Sequence, residues 1–189
     1  MQLAKYLILS RYKNNFIQQY FKGGVMEFII REYKNEDLDF IVEKHWDIYS
    51  TEYGYVKRSF YDYVKKTLSD FLAVTKFERE NIWIAEAEGK PIGAIALITP
   101  ETDKPYEGQL RWFIVDKEYR KYGIGRALMD KFLEFAVKWE YKHIFLWTAS
   151  NLDRALSFYN HQGFHETERF KETEWCEEPI YEIKLERDL

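Results

Sequence analysis

Two glycines and three cations crowd a single turn of this chain. The stretch RKYGIGRALMDKFLEFA, residues 120–136, opens as a basic glycine turn and runs directly into an amphipathic helix. The first amides of a helix have no intrahelical acceptor, and the helix dipole is positive at that end. Gly123 and Gly125 remove the Cβ atoms that would hold an anion away, and Arg120, Lys121 and Arg126 add charge. The natural ligand is a phosphate or pyrophosphate. The turn lacks the Gly-Lys-Ser/Thr of a nucleoside-triphosphate loop. Leu128 stands where a dinucleotide fingerprint needs its third glycine. The competing reading is a tight strand-to-helix turn with no ligand.

The other reactive residue types are sparse. Cys176 is the only cysteine, so no intramolecular disulfide forms, and a reducing, cytoplasmic setting fits. His161 and His165 are four apart, but Gly163 interrupts the helix between them, so no metal site is expected. His45 falls on an apolar helix face and reads as a satisfied core residue, and His143 opens a strand. The net charge of −4 argues against a nucleic-acid binder held by phosphate contacts. No apolar run approaches the ~20 residues of a membrane span. Aromatic residues make up 19% of the chain, which suits a bulky core or an aromatic cleft.

The elements that must position the glycine turn are readable from Met26 onward. EFIIREY, residues 27–33, is β-rich. Asn35 can cap a helix that carries Leu38, Ile41, Val42, His45, Ile48 and Tyr49 on one face. Ser59 can cap a second, with a stripe of Phe60, Val64, Leu68, Phe71 and Leu72. Strands 81–88 and 91–99 flank the turn EGK and form a hairpin. A polar loop, residues 100–108, leads to strand 109–115, the glycine turn and its helix to about Tyr141. Strand 143–150 and a short helix stopped by Gly163 follow, with Asn151 as its candidate cap. Strands near FHETERF and IYEIKL complete the chain. Strand, helix and strand from Gln109 to Ser150 form a crossover unit, so those two strands should be parallel. The expected fold is α+β with α/β-like features: a mixed, mostly antiparallel sheet, a central parallel pair and helices on both faces.

Residues 1–25 differ in character. They carry Lys5, Arg11, Lys13 and Lys22 and no acid, and this +4 against a net −4 leaves −8 on the rest. A basic membrane-surface or partner-binding arm is one reading. KGGVM, residues 22–26, is also what a purine-rich ribosome-binding site yields when translated just ahead of a start codon. On that reading residues 1–25 are a misassigned start, and one domain spans residues 26–189.

RKYGIG resembles the Arg/Gln-x-x-Gly-x-Gly/Ala signature of the GCN5-related N-acetyltransferase (GNAT) family. NLDRALSFYNHQGF, residues 151–164, resembles the same family's later stretch at the expected distance. The likeness is closest to acetyltransferase modules fused behind MarR-type regulators. It implies a splayed parallel pair, acetyl-coenzyme A (acetyl-CoA) as donor and a primary amine as acceptor, with no metal and no nucleic-acid or membrane partner. A homodimer is compatible with it. The pyrophosphate would sit on the amides of Lys121, Tyr122, Gly123, Ile124, Gly125 and Arg126. The pantetheine arm would pair with the main chain of Phe113 and Val115, and an amide such as that of Ile114 or Val115 would meet the oxyanion. Tyr159 matches the position of the acid that protonates the departing thiolate; the bland alternative is a buried tyrosine beside Phe158. Asn151 would bind the pantetheine amide or a water, or simply cap its helix. The general base is not evident, and Glu107, just before the central strand, is the candidate. Arg111 either faces the cleft to hold an acidic acceptor or pairs with a neighbouring carboxylate. Glu52 and Tyr53 fall where acceptor contacts gather in such folds. A fold that binds acyl-CoA without transferring it, as a sensor or a regulator-interacting module, is the alternative.

Overall fold

A computed structural model of the protein describes residues 16–21, 24–101, 104, 106–172 and 174–189. Strands β1 (Phe16–Phe21) and β2 (Gly24–Glu32) precede helices α1 (Asp37–Glu52) and α2 (Arg58–Val74). Strands β3 (Asn81–Ala87), β4 (Lys90–Ile98) and β5 (Glu107–Val115) follow. Then come α3 (Ile124–Lys138), β6 (His143–Ala149), α4 (Asp153–His161), β7 (His165–Glu172) and β8 (Ile180–Asp188). The strands form one sheet in the order β1-β2-β3-β4-β5-β6-β8-β7. Every pairing is antiparallel except β5 with β6. The mixed sheet with its single parallel pair is the expected one.

Helices cover both faces of the sheet. Leu128, Met129, Phe132 and Ala136 of α3 pack on Trp83, Leu97, Leu110 and Ile144. On the other face Ile41, Val42 and Ile48 of α1 join Phe60, Val64 and Leu68 of α2 over Ile82, Ile84, Ala94 and Ala96. Successive residues of β3 and β4 enter opposite cores, which is why both strands read as continuous apolar runs.

The helix starts depart from the sequence reading. Asn35 does not cap α1; Glu36 holds that position and makes no side-chain cap bond. The buried carboxylate of Asp37 serves the turn instead, accepting from the Lys34 amide at 2.8 Å and pairing with Arg31 at 2.7 and 2.8 Å. Ser59 lies inside α2, and its hydroxyl donates to the Glu174 carbonyl at 3.2 Å. At α1 a neighbouring carboxylate takes over the turn, and at α2 a distant carbonyl takes the hydroxyl. β5 starts at Glu107, inside the expected loop, because parallel pairing with β6 begins at Glu107 and His143. β2 begins at Gly24, ahead of Met26, and pairs with β1. Residues 1–15, 22 and 23 of the basic arm lie outside the described residues.

Candidate active site

The parallel pair comes apart after three rungs. Glu107, Gly108 and Gln109 pair with His143, Ile144 and Phe145, and beyond them β5 and β6 run on unpaired with each other. β5 stays with β4 as far as Val115 opposite Gly93, and β6 stays with β8 as far as Ala149 opposite Glu182. A wedge therefore opens toward the carboxyl ends of the two strands. A cavity of about 340 Å³ occupies it and reaches both faces of the sheet.

A bulge shapes one wall. On β4, Ala94 faces Ile114 and Ala96 faces Arg111, so Ile95 alone spans Trp112 and Phe113. Trp112 takes a left-handed φ of 44°. The extra residue breaks the strand's alternation. Arg111 and Trp112 both turn to the α1–α2 side, where Arg111 Nη2 donates to the hydroxyls of Tyr63 and Thr67, each at 3.2 Å. Phe113 faces the other way, its ring 5.6 Å from that of Phe158 and 6.1 Å from that of Tyr159. Arg111 thus faces the cleft, and among the described residues no carboxylate lies within 4.0 Å of its guanidinium.

The glycine turn forms the mouth of the cleft on the α3 side. Lys121 (φ 73°) and Gly123 (φ 77°) both adopt left-handed backbone, which curls successive amides toward one concavity. The first intrahelical bond of α3 runs from the Ala127 amide to the Gly123 carbonyl, 3.0 Å, so the amides of Ile124, Gly125 and Arg126 precede it. Buried Ile124 anchors the turn, Tyr122 packs partly against the α3-side core, and the Lys121 and Arg126 side chains are exposed. Gly125 lines the cleft. A Cβ there would lie 3.6 Å from Phe113 and 3.8 Å from Val115, ordinary contact distances, so packing within the protein does not require glycine. The open amides and the two exposed cations beside it would suit a diphosphate. Arg120 is committed elsewhere: it bonds the Glu52 carboxylate at 2.6 Å and reaches the Val115 carbonyl at 3.4 Å.

Tyr159 of α4 stands in the cleft wall, its ring against Phe113, Phe158 and Phe164. Burial pushes its phenol well above the usual range, so the residue stays protonated at neutral pH. Asn151 makes no cap bond; α4 starts at Asp153. Its Nδ2 donates to the Tyr53 carbonyl at 2.9 Å, tying the end of α1 to the start of α4. Among the described residues the buried Asn151 Oδ1 has no partner, an acceptor open to a donor such as an amide or water. Tyr53 lines the cleft; Glu52 sits at its rim between Arg120 and Arg154.

Glu107 is not brought to the cleft. It is buried at the closed end of the parallel pair, where Lys104 lies 3.4 Å and His143 3.9 Å from its carboxylate. At 3.3 Å per residue it stands about 20 Å along β5 from Phe113. His45 lies in the core, as its helix face implies, and also lines the cleft. Its Nδ1 meets the Ile41 carbonyl at 2.7 Å, which can only accept, so Nδ1 carries the proton. Burial pushes this imidazole down to about 4.

Trp175 and Glu182 are among the wall residues that escaped the sequence reading. Trp175, in the β7–β8 connection, packs on Tyr55, Phe60 and Tyr63 at 6.0, 5.5 and 5.3 Å. Glu182 of β8 reaches the cleft beside Ala149. Burial and the charge of Glu172 push its carboxyl above the usual range, while Arg111 pulls the other way. No local motif marks either residue.

Fold and site together define an α+β protein whose sheet is split by a through-going cleft, with a glycine turn of open amides at one mouth. The sequence model of the Acetyltransferase (GNAT) family matches residues 38–164, and the chain belongs to that family. It is 28% identical over 152 residues to an uncharacterised N-acetyltransferase of Methanocaldococcus jannaschii, covering 78% of this chain and 65% of that one. It is 30% identical over 144 residues to another of Archaeoglobus fulgidus, covering 74% and 94%. The chain spans less than two thirds of the length of several curated relatives it matches. A GNAT-family acetyltransferase structure from Staphylococcus aureus superposes with a TM-score of 0.68 at 22% identity, over 86% of this chain and 99% of that one, which speaks to the fold.

Proposed function

We propose that this protein transfers an acetyl group from acetyl-CoA to a primary amine by direct attack in a ternary complex. One observation carries the reading: the parallel pair opens into a cleft that joins the glycine cradle to Tyr159. The amides from Lys121 to Arg126 hold the pyrophosphate, with Lys121 and Arg126 adding charge. The unpaired edge of β5 at Phe113 and Val115 offers main-chain partners to the pantetheine arm, and the Asn151 Oδ1 offers one acceptor more. The amide of Val115, on the edge turned from β4, meets the charge that grows on the carbonyl oxygen, while that of Ile114 faces β4. Tyr159, held protonated by its aromatic surroundings, gives its proton to the departing thiolate. Glu107 has no part in this scheme. The finer resemblance, to modules fused behind MarR-type regulators, rests on the sequence motifs alone.

Titration calorimetry with acetyl-CoA, paired with thiol release across an amine panel, tests the reading. Binding together with amine-dependent release is expected. Binding without release from any amine would make the protein a sensor.

A further inference from the structure

The α1–α2 side of the cleft is a chamber that the coenzyme does not account for. Tyr49, Tyr55, Phe60, Tyr63 and Trp175 supply its aromatic walls. Two opposite charges open onto it. Among the described residues the Arg111 guanidinium hydrogen-bonds two neutral hydroxyls and lies 5.0 Å from the Trp112 ring and 5.7 Å from that of Tyr63. Glu182 enters from β8, and among the described residues no cation lies within 4.0 Å of it. The two charges sense each other but form no ion pair. Both residues are half-buried, and a charge partly withdrawn from water gains from a partner. A ligand carrying an anionic group and an ammonium would satisfy both at once.

We propose that the acceptor is an amine with a carboxylate close to its nitrogen, an α-amino acid with an apolar or aromatic side chain. Arg111 binds the carboxylate and Glu182 takes the proton from the ammonium. The proposal rests on the acetyl-transfer reading above. The ammonium gives one proton to Glu182, and the freed lone pair forms the N–C bond as the C–S bond breaks. The sulfur takes a proton from Tyr159. The nitrogen loses a second proton, which restores Tyr159 through solvent, and the proton on Glu182 is the one released net. A protein lysine, a protein N-terminus and a polyamine all lack the adjacent carboxylate.

The test measures thiol release by the full chain with matched pairs: phenylalanine against phenethylamine, leucine against isoamylamine. Spermidine and a short peptide complete the panel. Each amino acid should exceed its decarboxylated partner in kcat/KM by about 10²-fold, the scale of a hydrogen-bonded charge pair. Arg111→Met should raise KM for the amino acid and shrink that ratio below about 3-fold, with acetyl-CoA binding unchanged. Glu182→Gln should lower kcat at near-parental KM. The matched pairs are run on the parent chain, so a variant that fails to fold leaves the test intact. Equal or better turnover of the carboxylate-free amines, the peptide or spermidine overturns the proposal and leaves acetyl transfer standing. Failure of the parent to bind acetyl-CoA overturns both.

Discussion

Gly125→Ala separates a glycine kept for a ligand from one kept for the fold. The added methyl meets Phe113 at 3.6 Å and Val115 at 3.8 Å, without a clash. Alanine is better than glycine in a helix interior by about 1 kcal/mol, and at this second position of α3 roughly half of that is a fair share. For a chain of this size, each 1 kcal/mol moves Tm by about 2–4 °C, so the variant should melt about 1–2 °C higher. The same methyl stands among the open amides of Ile124, Gly125 and Arg126. Displacing one phosphate oxygen from its charge-assisted hydrogen bond costs about 1.5–3 kcal/mol, which is ~10- to 10²-fold in Kd. Differential scanning fluorimetry of the ligand-free protein and calorimetry with acetyl-CoA read the two effects separately. Gly123→Ala is the contrast: at φ 77° a side chain is strained, and Tm should fall. A Gly125→Ala protein that melts higher and binds acetyl-CoA like its parent would refute the cradle. One that melts lower would refute the packing argument.

Three further outcomes are expected. Tyr159→Phe should keep coenzyme binding near normal and slow turnover by ~10²-fold; a parental rate would mean that another group protonates the thiolate. Glu107→Gln should leave kcat/KM within about 2-fold, since this carboxylate sits at the closed end of the strand pair; a large loss would return it to the mechanism. His45 titrates near 4 in the fold against an ordinary 6.5. The folded state therefore disfavours the imidazolium, and its contribution is complete above pH 6.5 and lost as pH falls toward 4. That gap is worth about 3 kcal/mol, and Glu182, pushed upward, opposes it in part. Chemical denaturation at pH 7 and pH 4.5 should show a smaller drop in His45→Gln than in the parent; equal drops would remove His45 as the source.

What could be read from the sequence was local, and what could not was set by partners distant in the chain. The order of elements, the crossover unit and the glycine turn follow from periodicity and punctuation over short windows. The bulge at Trp112 does not, because it is a one-residue offset against β4 and exists only in the pairing. The cap expected at Ser59 is sound local chemistry, displaced by the carbonyl of Glu174, 115 residues away. The most instructive case is the acceptor chamber. β8 is inserted between β6 and β7, and only this order carries Glu182 to the wedge opposite Arg111. Glu107 shows the same thing from the other side. Its place just ahead of the central strand looked close to the chemistry, yet a parallel pair holds ligands at the carboxyl ends of its strands. The β5–β6 pair is zipped at Glu107 and open at Val115, so a proton acceptor must come from whichever element borders the open end. On the proposal above that acceptor is Glu182, the carboxylate that β8, the next strand beyond β6, places in the cleft wall.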